Sequence, residues 1–532
     1  MIARDLLVRI DAIFDPWASL EERELAEKLI AFESQIPRDR LTECEREGRF
    51  PESELRAFAD AGLMTELVPS SANGKLDWAR AMRLATYGAS YDLDFTLCLG
   101  GAVLGGAAVL VAGNSDQQTQ YFAPLLEGEV GGLALSEWNH GSDLLANECV
   151  AARDGDHFVI NGVKGPINNG SLGAHLVVLA RTPSGFDASE QTLFLIKRET
   201  PGLSGERVFP SMGYRNMDLA RVTLNNVRVP ISAVLGKPGD GFLHVRRTLE
   251  ISRSGVAAMA CGAMASAASH ATSHALERHL YQAPIAMLPA VRTLVARCVA
   301  RLVLGATMVR TSSRAVSRWA GSARAWSCAT KWLVPVLLER NIHDAGTVLG
   351  ARSLMEDLPF ARLRRSTPLL AIFDGSSQLQ LDELFRHVAM WEESKVSRDE
   401  ARTQLFMTLA EPFDPHRTDD AGVLDALSPL LGSPPYRGIA QALVPLARDA
   451  RKTVHLRAPV SEVAAWLYAV NALDHGHARF PDAVRALALH EADAALVEPC
   501  ARLGISTNDL LTHAPRVAEI ATNTFDWIAE QS

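Results

Sequence analysis

The sequence predicts an α+β multi-domain protein in which helical segments flank one β segment. Its length of 532 residues exceeds one ordinary domain of about 150 residues. Short β patterns separated by tight turns are confined to the stretch after residue 130, and apolar residues at helical spacing recur before and after it. The expected domains are an N-terminal helical domain (1–129), a middle β domain of barrel or sandwich type (130–237), a C-terminal domain of the four-helix-bundle type (238–399) and an extra C-terminal helical region (400–532).

Composition and charge argue against several classes of protein. Hydrophobic residues make up 48% of the chain, which is too many for a disordered protein. The net charge is −9 and no tract of Lys or Arg stands out, which argues against a nucleic-acid binder. The seven cysteines are scattered without CxxC spacing. We therefore expect no metal site and no disulfide framework, and we expect a reducing, cytoplasmic location.

Membrane and export signals are not expected. The longest apolar stretch, Gly100 to Gly113, is shorter than the roughly 20 residues that a membrane-spanning helix needs. The N-terminal segment carries early acidic residues and lacks an apolar core, which argues against a cleavable signal peptide. The sequence therefore predicts a soluble protein without a membrane span.

Helices are predicted in the first domain from helix-forming residues and capping signals. Asp77 to Tyr91 is rich in Ala, Arg, Leu and Met, which favour helices. Ser115 to Gln118 is typical of a helix start, followed by Tyr121 and Phe122.

The middle domain is predicted to be β. The sequence predicts two strands, Cys149 to Arg153 and His157 to Ile160. They are joined by Asp154-Gly155, which supplies the positive φ that a hairpin turn needs. Asn161-Gly162 reads as a second turn of this kind. Further strands are expected at Leu176–Ala180, Thr192–Ile196 and Val222–Val229.

Helical periodicity returns after Gly241. One broad apolar face consists of Leu294, Val295, Cys298, Val299, Leu302 and Val303. A second apolar stripe, in the C-terminal region, consists of Val463, Trp466, Leu467, Val470 and Leu473. We expect residues 400–532 to form an added helical layer that covers an apolar face; a surface for a partner or for oligomerisation is the alternative.

A series of motifs in the middle of the chain follows a known order and spacing. The motifs are Leu133 to Asp143, Asp154 to Lys164, Asn168-Asn169-Gly170, Asn226 to Pro230, Gly239 to Phe242, Met355 to Pro359 and Ile372 to Gln380. This series resembles the acyl-CoA dehydrogenase family over about residues 45–390.

The resemblance implies a homo-oligomeric FAD enzyme, either a homodimer or a homotetramer. It implies that an acyl thioester is oxidised to its trans-2-enoyl form, with the α-proton taken by a carboxylate and the β-hydrogen passed as hydride to flavin N5. The thioester is expected to be that of CoA or of an acyl-carrier protein, although the net charge of −9 disfavours an acidic carrier protein. The electron acceptor is expected to be a flavoprotein or oxygen.

The resemblance also implies roles for individual residues. Asp374 matches the position of the catalytic base. Positions that contact FAD are matched by Leu135, Ser136, Ser142, Pro166, Asn168, Arg278, Tyr281, Thr347, Gly350, Ala351, Ser376 and Gln378. Positions near the substrate are matched by Ser142, Arg253 and Gly375, although Arg253 also fits a helix-surface charge. Arg278 and the segment from Thr347 to Ala351 match positions that reach the cofactor of a neighbouring subunit.

Several residues depart from the pattern of the family. Pro166 and Asn168 stand where the family usually has Trp and Thr, which should alter flavin affinity or access to its face. Asp374 replaces the usual Glu, and its carboxylate lies about 1.5 Å nearer the backbone, a displacement that can cost roughly 10²-fold in rate. Ser252 occupies the other place where some subfamilies keep the base, so Asp374 is the only well-placed carboxylate that the motif offers.

Two other functions stay open at this point. A flavin-dependent monooxygenase on the same fold is one, although relatives of that kind generally lack the carboxylate that Asp374 retains. A subunit that has lost catalysis and serves as a scaffold is the other, because the wall of the flavin site is altered.

Overall fold

The computed structural model describes residues 19–183, 190–391, 396–397, 400–401, 404–405, 413–429, 433, 436–449, 456–475, 481–507, 510 and 517–529. The chain forms two compact units. Residues 24–84 and 92–252 form the first, called the sheet unit below. Residues 85–91 and the described residues from Arg253 onward belong to the second, called the bundle unit.

Six α-helices precede the sheet in the part of the chain that the structure describes. They are α1 (Ser19–Gln35), α2 (Arg38–Glu47), α3 (Glu52–Asp60), α4 (Trp78–Tyr91), α5 (Leu93–Ala112) and α6 (Ser115–Leu126). The predicted start of α6 at Ser115 is confirmed, because Asn114 forms a capping box with Gln117: each side chain accepts a hydrogen bond of 3.0 Å from the backbone N–H of the other residue.

Helix α5 is the longest apolar helix of the sheet unit. Its 20 residues exceed the Gly100–Gly113 stretch expected from the sequence, because the helix begins at Leu93. It is the one helix among the described residues that is long and apolar enough to cross a membrane by length and composition, and 72% of its most apolar window is buried inside the protein. A core helix of a soluble protein passes the same test.

Eight strands form one mixed sheet. They are β1 (Gly131–Ala134), β2 (Val150–Asp154), β3 (His157–Asn168), β4 (His175–Arg181), β5 (Gln191–Lys197), β6 (Leu203–Arg207), β7 (Leu219–Pro230) and β8 (Val234–Leu235). The order is β6-β7-β3-β2-β4-β5-β8, and β1 pairs parallel to β4. The sheet buries an apolar cluster whose members come from seven of its strands and include Phe158, Val178, Phe194 and Val222. The predicted β domain is therefore confirmed.

The second predicted turn, at Asn161-Gly162, is wrong. Strand β3 continues through both residues, with an irregularity in its pairing to β7 between Ile160 and Gly162. A Cβ on Gly162 would lie 2.7 Å from the Cα of Cys149, the residue directly before β2. Glycine is therefore needed here for a close approach of two strands, not for a chain reversal.

Long helices dominate the bundle unit. Helix α7 (Gly241–Glu277), which belongs to this unit from Arg253 onward, is followed by a two-stranded hairpin, β9 (His279–Leu280) and β10 (Ala283–Pro284). The next helices are α8 (Pro289–Trp319), α9 (Arg324–Leu349), α10 (Pro359–Ser366), α11 (Leu369–Ile372) and α12 (Ser377–Val388). The described helices of the C-terminal region are α13 (Val423–Ala426), α14 (Tyr436–Asp449), α15 (Arg457–His475), α16 (Asp482–Arg502) and α17 (Val517–Ala529).

The C-terminal helices pack directly on the bundle. Helix α8 contacts α9 and also α15, α16 and α17, and α15 contacts α9 and α12. Both apolar faces expected from the sequence are buried there, apart from Leu294, which is half-buried. The expected extra helical region is therefore present in the structure.

Candidate active site

The loop after β1 lies against β3 in the sheet unit. The backbone N–H of Gly165 donates to the carbonyl oxygen of Ser136 at 3.0 Å. The Nζ of Lys164 donates to the carbonyl oxygen of Leu135, also at 3.0 Å. These two bonds bring Leu135 and Ser136 beside the segment of β3 that carries Pro166 and Asn168. Four of the sequence-predicted cofactor residues are thus neighbours.

A buried ion pair fixes this loop. The Oε1 of Glu137 lies 2.9 Å from the Nζ of Lys164, and the two side chains are 6% and 0% exposed. The same carboxylate accepts hydrogen bonds from the backbone N–H groups of Glu148 at 2.7 Å and Cys149 at 2.9 Å. Burial raises the pKa of Glu137, but the hydrogen bonds from Glu148 and Lys164 outweigh it, so the pKa is lowered overall. Burial lowers the pKa of Lys164 more than the Glu137 partner raises it.

Asn168 is held by helix α5. Its Nδ2 donates to the carbonyl oxygen of Leu97 at 3.0 Å, and a Cβ on Gly101 would lie 2.9 Å from that Nδ2. Its Oδ1 is buried and accepts no hydrogen bond within the described part of the chain. Buried acceptors normally receive a hydrogen bond, so an acceptor without one suits a site where a ligand supplies the donor.

Ser142 is not joined to these residues. It lies in an exposed bend after the isolated β-bridge between Glu137 and His140. Among the described residues, no hydrogen bond connects Ser142 to Ser136 or Asn168.

The candidate base lies in a tight loop of the bundle unit. Helix α11 ends at Ile372, and Asp374 and Gly375 then take φ values of +57° and +91°. Two successive left-handed residues reverse the chain into α12. Asp tolerates this conformation better than most residues. Asp374 is half-buried.

The same loop is held at its other end by Gln380. The Nε2 of Gln380, which is fully buried, donates to the carbonyl oxygen of Gly375 at 3.2 Å. The Oγ of Ser377 donates to the carbonyl oxygen of Ala371 at 3.2 Å. Ser376 is the N-cap residue of α12, and Gln378 is exposed in its first turn. The chain therefore places Asp374, Gly375, Ser376 and Gln378 side by side on a fixed turn.

Lys331 is a residue of this site that the sequence reasoning missed. It lies on α9, is 1% exposed, and its Nζ donates to the carbonyl oxygen of Leu370 on α11 at 2.8 Å. Burial lowers its pKa to about 8, against the opposing effect of the Asp374 carboxylate. The only signal in the sequence is a lone lysine among the buried residues of an apolar helix face.

Arg253 lies close to the same group. Its side chain is 5% exposed, so it is not a helix-surface charge, and its Nη1 donates to the Sγ of Cys328 at 3.1 Å. Cys328 precedes Lys331 by one turn of α9, and the charge of Arg253 also lowers the pKa of Lys331. The structure thus brings Arg253 and Asp374, two predicted site residues, close enough to one buried lysine to act on its pKa.

Arg278, another predicted cofactor residue, lies close to His274 at the C-terminal end of α7. Burial lowers the pKa of His274, and the charges of Arg352 and Arg278 lower it further. Arg278 and Arg352 therefore both lie close to His274. Thr347 lies in the last turn of α9, and Gly350 and Ala351 follow that helix. Gly350 has a φ of +60°, and all three residues are exposed.

Tyr281 is at the tip of the neighbouring hairpin. Its φ is +52° and its side chain is 90% exposed. Arg278 and Arg352 form a basic surface of the kind that binds phosphate groups.

Comparison with known proteins supports the family that the motifs indicate. The model of the acyl-CoA dehydrogenase N-terminal domain matches residues 19–129, that of the middle domain matches residues 132–227, and that of the C-terminal domain matches residues 239–389. The chain belongs to the acyl-CoA dehydrogenase family.

Curated relatives match the part of the chain that these models cover. The mitochondrial short-chain specific acyl-CoA dehydrogenase of Bos taurus is 27% identical over 354 residues, which is 64% of this chain and 82% of that protein. Cyclohex-1-ene-1-carbonyl-CoA dehydrogenase of Geobacter metallireducens is 28% identical over 343 residues, again 64% of this chain and 90% of that protein.

Solved structures share the fold. Butyryl-CoA dehydrogenase of Megasphaera elsdenii has a TM-score of 0.66 at 21% identity and covers 69% of this chain and 97% of its own. An acyl-CoA dehydrogenase of Bacillus anthracis, complexed with FAD, has a TM-score of 0.79 at 18% identity and covers 98% of this chain and 97% of its own. The second similarity extends over the C-terminal helices.

Membership of the acyl-CoA dehydrogenase family confirms the expectation of a flavin oxidoreductase with FAD as its cofactor. The unpartnered Oδ1 of Asn168 and the basic surface around Arg278 and Arg352 fit such a cofactor, because FAD has N–H donors and a pyrophosphate. No group of three or more His, Cys, Asp or Glu side chains suited to a metal occurs in the described ranges. All seven cysteines are buried and free.

Proposed function

We propose that this protein oxidises the Cα–Cβ bond of an acyl-CoA thioester to the trans-2-enoyl thioester. In this reaction Asp374 removes the α-proton. FAD, when bound, supplies the acceptor for the β-hydrogen, which leaves with its electron pair as hydride. One proton and one hydride are lost, and the Cα–Cβ double bond forms. The observation that best supports the proposal is the Asp374 carboxylate, which lies on a left-handed turn and acts on the charge of the buried Lys331.

The residues of the turn suit a base that must be placed accurately. A proton-abstracting carboxylate works only when it is held within hydrogen-bond reach of its proton. The Lys331–Leu370 and Gln380–Gly375 hydrogen bonds restrain the chain on both sides of Asp374. Arg253, buried near the same lysine, is the residue we assign to the thioester end of the substrate.

We assign the other predicted residues to FAD. In the sheet unit these are Leu135, Ser136, Ser142, Pro166 and Asn168, of which Asn168 offers the free acceptor. In the bundle unit they include Ser376 and Gln378, which follow the base. The cofactor of a neighbouring subunit is assigned to Arg278, Tyr281, Thr347, Gly350 and Ala351. The proposal therefore includes a homodimer or homotetramer.

Other parts of the proposal rest on general properties of the chain. Seven buried free cysteines favour a reducing compartment, so we propose a cytoplasmic location. We propose that CoA carries the acyl group as its thioester, because a net charge of −9 disfavours an acidic carrier protein. A flavoprotein or oxygen would then reoxidise the flavin.

Anaerobic titration of the purified holoenzyme with a panel of acyl-CoA thioesters tests the function. We expect the flavin absorbance band to bleach with at least one thioester of the panel, and the enoyl-CoA product to form in equal amount. A yellow protein that only an external reductant bleaches would point to an oxygenase. A colourless protein that cannot be loaded with FAD would point to a subunit without catalysis.

A further inference from the structure

We propose that Lys331 is a positioning residue that holds the Asp374 turn in place and keeps its carboxylate ionised. The inference rests on the proposed function of Asp374 and adds a residue that none of the family motifs contains. It concerns only the bundle unit, where α9, α11 and the turn before α12 meet.

The first argument is the hydrogen bond that Lys331 makes. Helix α11 has only four residues, so its last carbonyl groups lack helical partners. The ammonium group of Lys331 satisfies the carbonyl of Leu370, which is itself fully buried, at 2.8 Å. The same Nζ lies 6.0 Å from the ring centroid of Phe373, the residue directly before Asp374. The lysine therefore anchors the chain immediately ahead of the base.

The second argument is charge. A buried ammonium group is costly unless an anion lies nearby. Among the described residues, Asp374 is the one carboxylate that acts on the pKa of Lys331. Burial has the largest effect and lowers this pKa; the charge of Asp374 raises it, and the charge of Arg253 lowers it. The resulting pKa of Lys331 is about 8, so the group is charged at neutral pH.

Other titratable groups around α9 do not replace Asp374. Arg253 faces the site from α7 and is itself a cation. Burial and then Arg324 lower the pKa of His387 on α12 to about 4, so this ring is neutral at working pH. Burial raises the pKa of Tyr468 on α15, which also stays neutral. Arg301 on α8 pairs with Asp344 further along α9.

The consequence for catalysis follows from the sign of the charge. A nearby cation favours the ionised form of a carboxyl group and lowers its pKa by about 1–3 units. Asp374 would therefore be ready to accept a proton at a lower pH than without Lys331. In a plot of the rate of flavin reduction against pH, the rate falls on the acid side as Asp374 becomes protonated. Removing the cation should move this acid limb to higher pH.

The test compares three variants of the FAD-loaded enzyme with the wild type. Lys331→Met removes both the charge and the hydrogen bond, Lys331→Gln keeps a neutral donor, and Lys331→Arg keeps the charge. Flavin reduction by the best acyl-CoA is followed in an anaerobic stopped-flow instrument between pH 5 and pH 8. We expect the acid limb to move up by about one pH unit in the Met and Gln variants and to stay in place in the Arg variant.

A structural role alone would lower the rate or the melting temperature without moving the limb. An unchanged limb in both neutral variants would overturn the inference. Lys197→Met, at an exposed position of the sheet unit, serves as the control for loss of a lysine charge.

A double-mutant cycle in thermal stability keeps the inference testable if no thioester reduces the flavin. The wild type, Lys331→Gln, Asp374→Asn and the double variant are melted at pH 7. Non-additive changes in melting temperature support the Lys331–Asp374 pair, and additive changes contradict it. Failure of the thioester titration would instead contradict the proposed function, so the two failures are distinguishable.

Discussion

The guanidinium of Arg301 on α8 donates its Nε to the Oε2 of Glu491 on α16 at 2.6 Å, although 190 positions separate the two residues in the sequence. Both side chains are almost fully buried. The same arginine donates its Nη1 to Asp344 at 2.8 Å, and Arg297 donates to the other oxygen of Glu491 at 2.7 Å. The C-terminal region and the bundle therefore share one buried ionic cluster, which makes the added helices part of the same folded unit.

The first prediction is that Glu491→Ala strongly destabilises the protein. It leaves Arg301 with fewer partners in a dry environment, and breaking a buried pair in this way typically costs about 3–5 kcal/mol. Urea denaturation at pH 7 measures the loss. Glu498→Ala, at an exposed position of the same helix, is the control and should stay within about 0.5 kcal/mol of the wild type.

The loss of unfolding free energy in Glu491→Ala should depend on pH in a definite direction. Burial raises the pKa of Glu491, but Arg301 and Arg297 outweigh it, so the pKa of the folded protein is below the ordinary value of 4.5. The stabilisation is therefore fully present above pH 4.5 and is lost as the pH falls through the folded pKa. The stability difference between Glu491→Ala and the wild type should shrink in acid. A difference that stays constant as the pH falls well below 4.5 would contradict the ionic origin of the effect.

The second prediction is that removal of residues 400–532 gives an insoluble or aggregating protein. Truncation exposes the faces of α8, α9 and α12 that now pack against α15, α16 and α17. It also removes Trp466, whose ring lies 5.4 Å from the guanidinium of Arg340, and Tyr468, whose hydroxyl accepts a hydrogen bond of 3.2 Å from Trp391. Large exposed apolar surfaces favour association. Sedimentation after expression measures the outcome, and a soluble, fully active truncation would show instead that the region is a separable module.

The third prediction concerns Asn168. Asn168→Leu removes the buried acceptor and should raise the dissociation constant of FAD about tenfold, which corresponds to roughly 1.4 kcal/mol for one hydrogen bond. Fluorescence titration of the apoprotein with FAD measures the change. Asn161→Ala, at an exposed position of the same strand, is the control. Equal FAD affinity in Asn168→Leu and the wild type would remove Asn168 from the cofactor site.

Local signals in the sequence predicted much of the fold. The helix start at Ser115 was predictable because the Asn114–Gln117 capping box lies within four consecutive residues. The hairpin at Asp154-Gly155 was predictable for the same reason, and Gly155 has a φ of +58°. The turn expected at Asn161-Gly162 was wrong, because a glycine needed for a close strand approach looks the same in sequence as a turn glycine.

Features that depend on distant contacts were not predictable. Lys331 gains its role only when α11 folds over α9 and presents the carbonyl of Leu370. The Arg301–Glu491 pair likewise requires two helices far apart in the chain. The position of Asp374 came from the family motif, and its positive φ came only from the structure.

The last prediction is that Asp374 is the α-proton base. Asp374→Asn keeps the shape of the side chain, and Asn also tolerates the φ of +57°, so the turn should stay folded. The amide cannot accept the proton. Because positioned base catalysis contributes about 10²–10⁴-fold, flavin reduction should fall by at least that range while FAD binding stays intact. Anaerobic stopped-flow measurement with the best thioester tests this. Reduction at the wild-type rate would place the base elsewhere, and Glu250 and Glu137 would be the next carboxylates to change.

Asp374→Glu tests whether the site is built around the shorter side chain. Glu fits a left-handed residue less well than Asp, and its additional methylene moves the carboxylate by about 1.5 Å. With the turn held by Lys331 and Gln380, the backbone has little freedom to compensate. Flavin reduction should therefore be slower in Asp374→Glu than in the wild type, by up to roughly 10²-fold, with a melting temperature that changes little. A faster Glu variant would mean instead that Asp374 is a weakened form of an ancestral glutamate and that the turn adapts to the longer side chain.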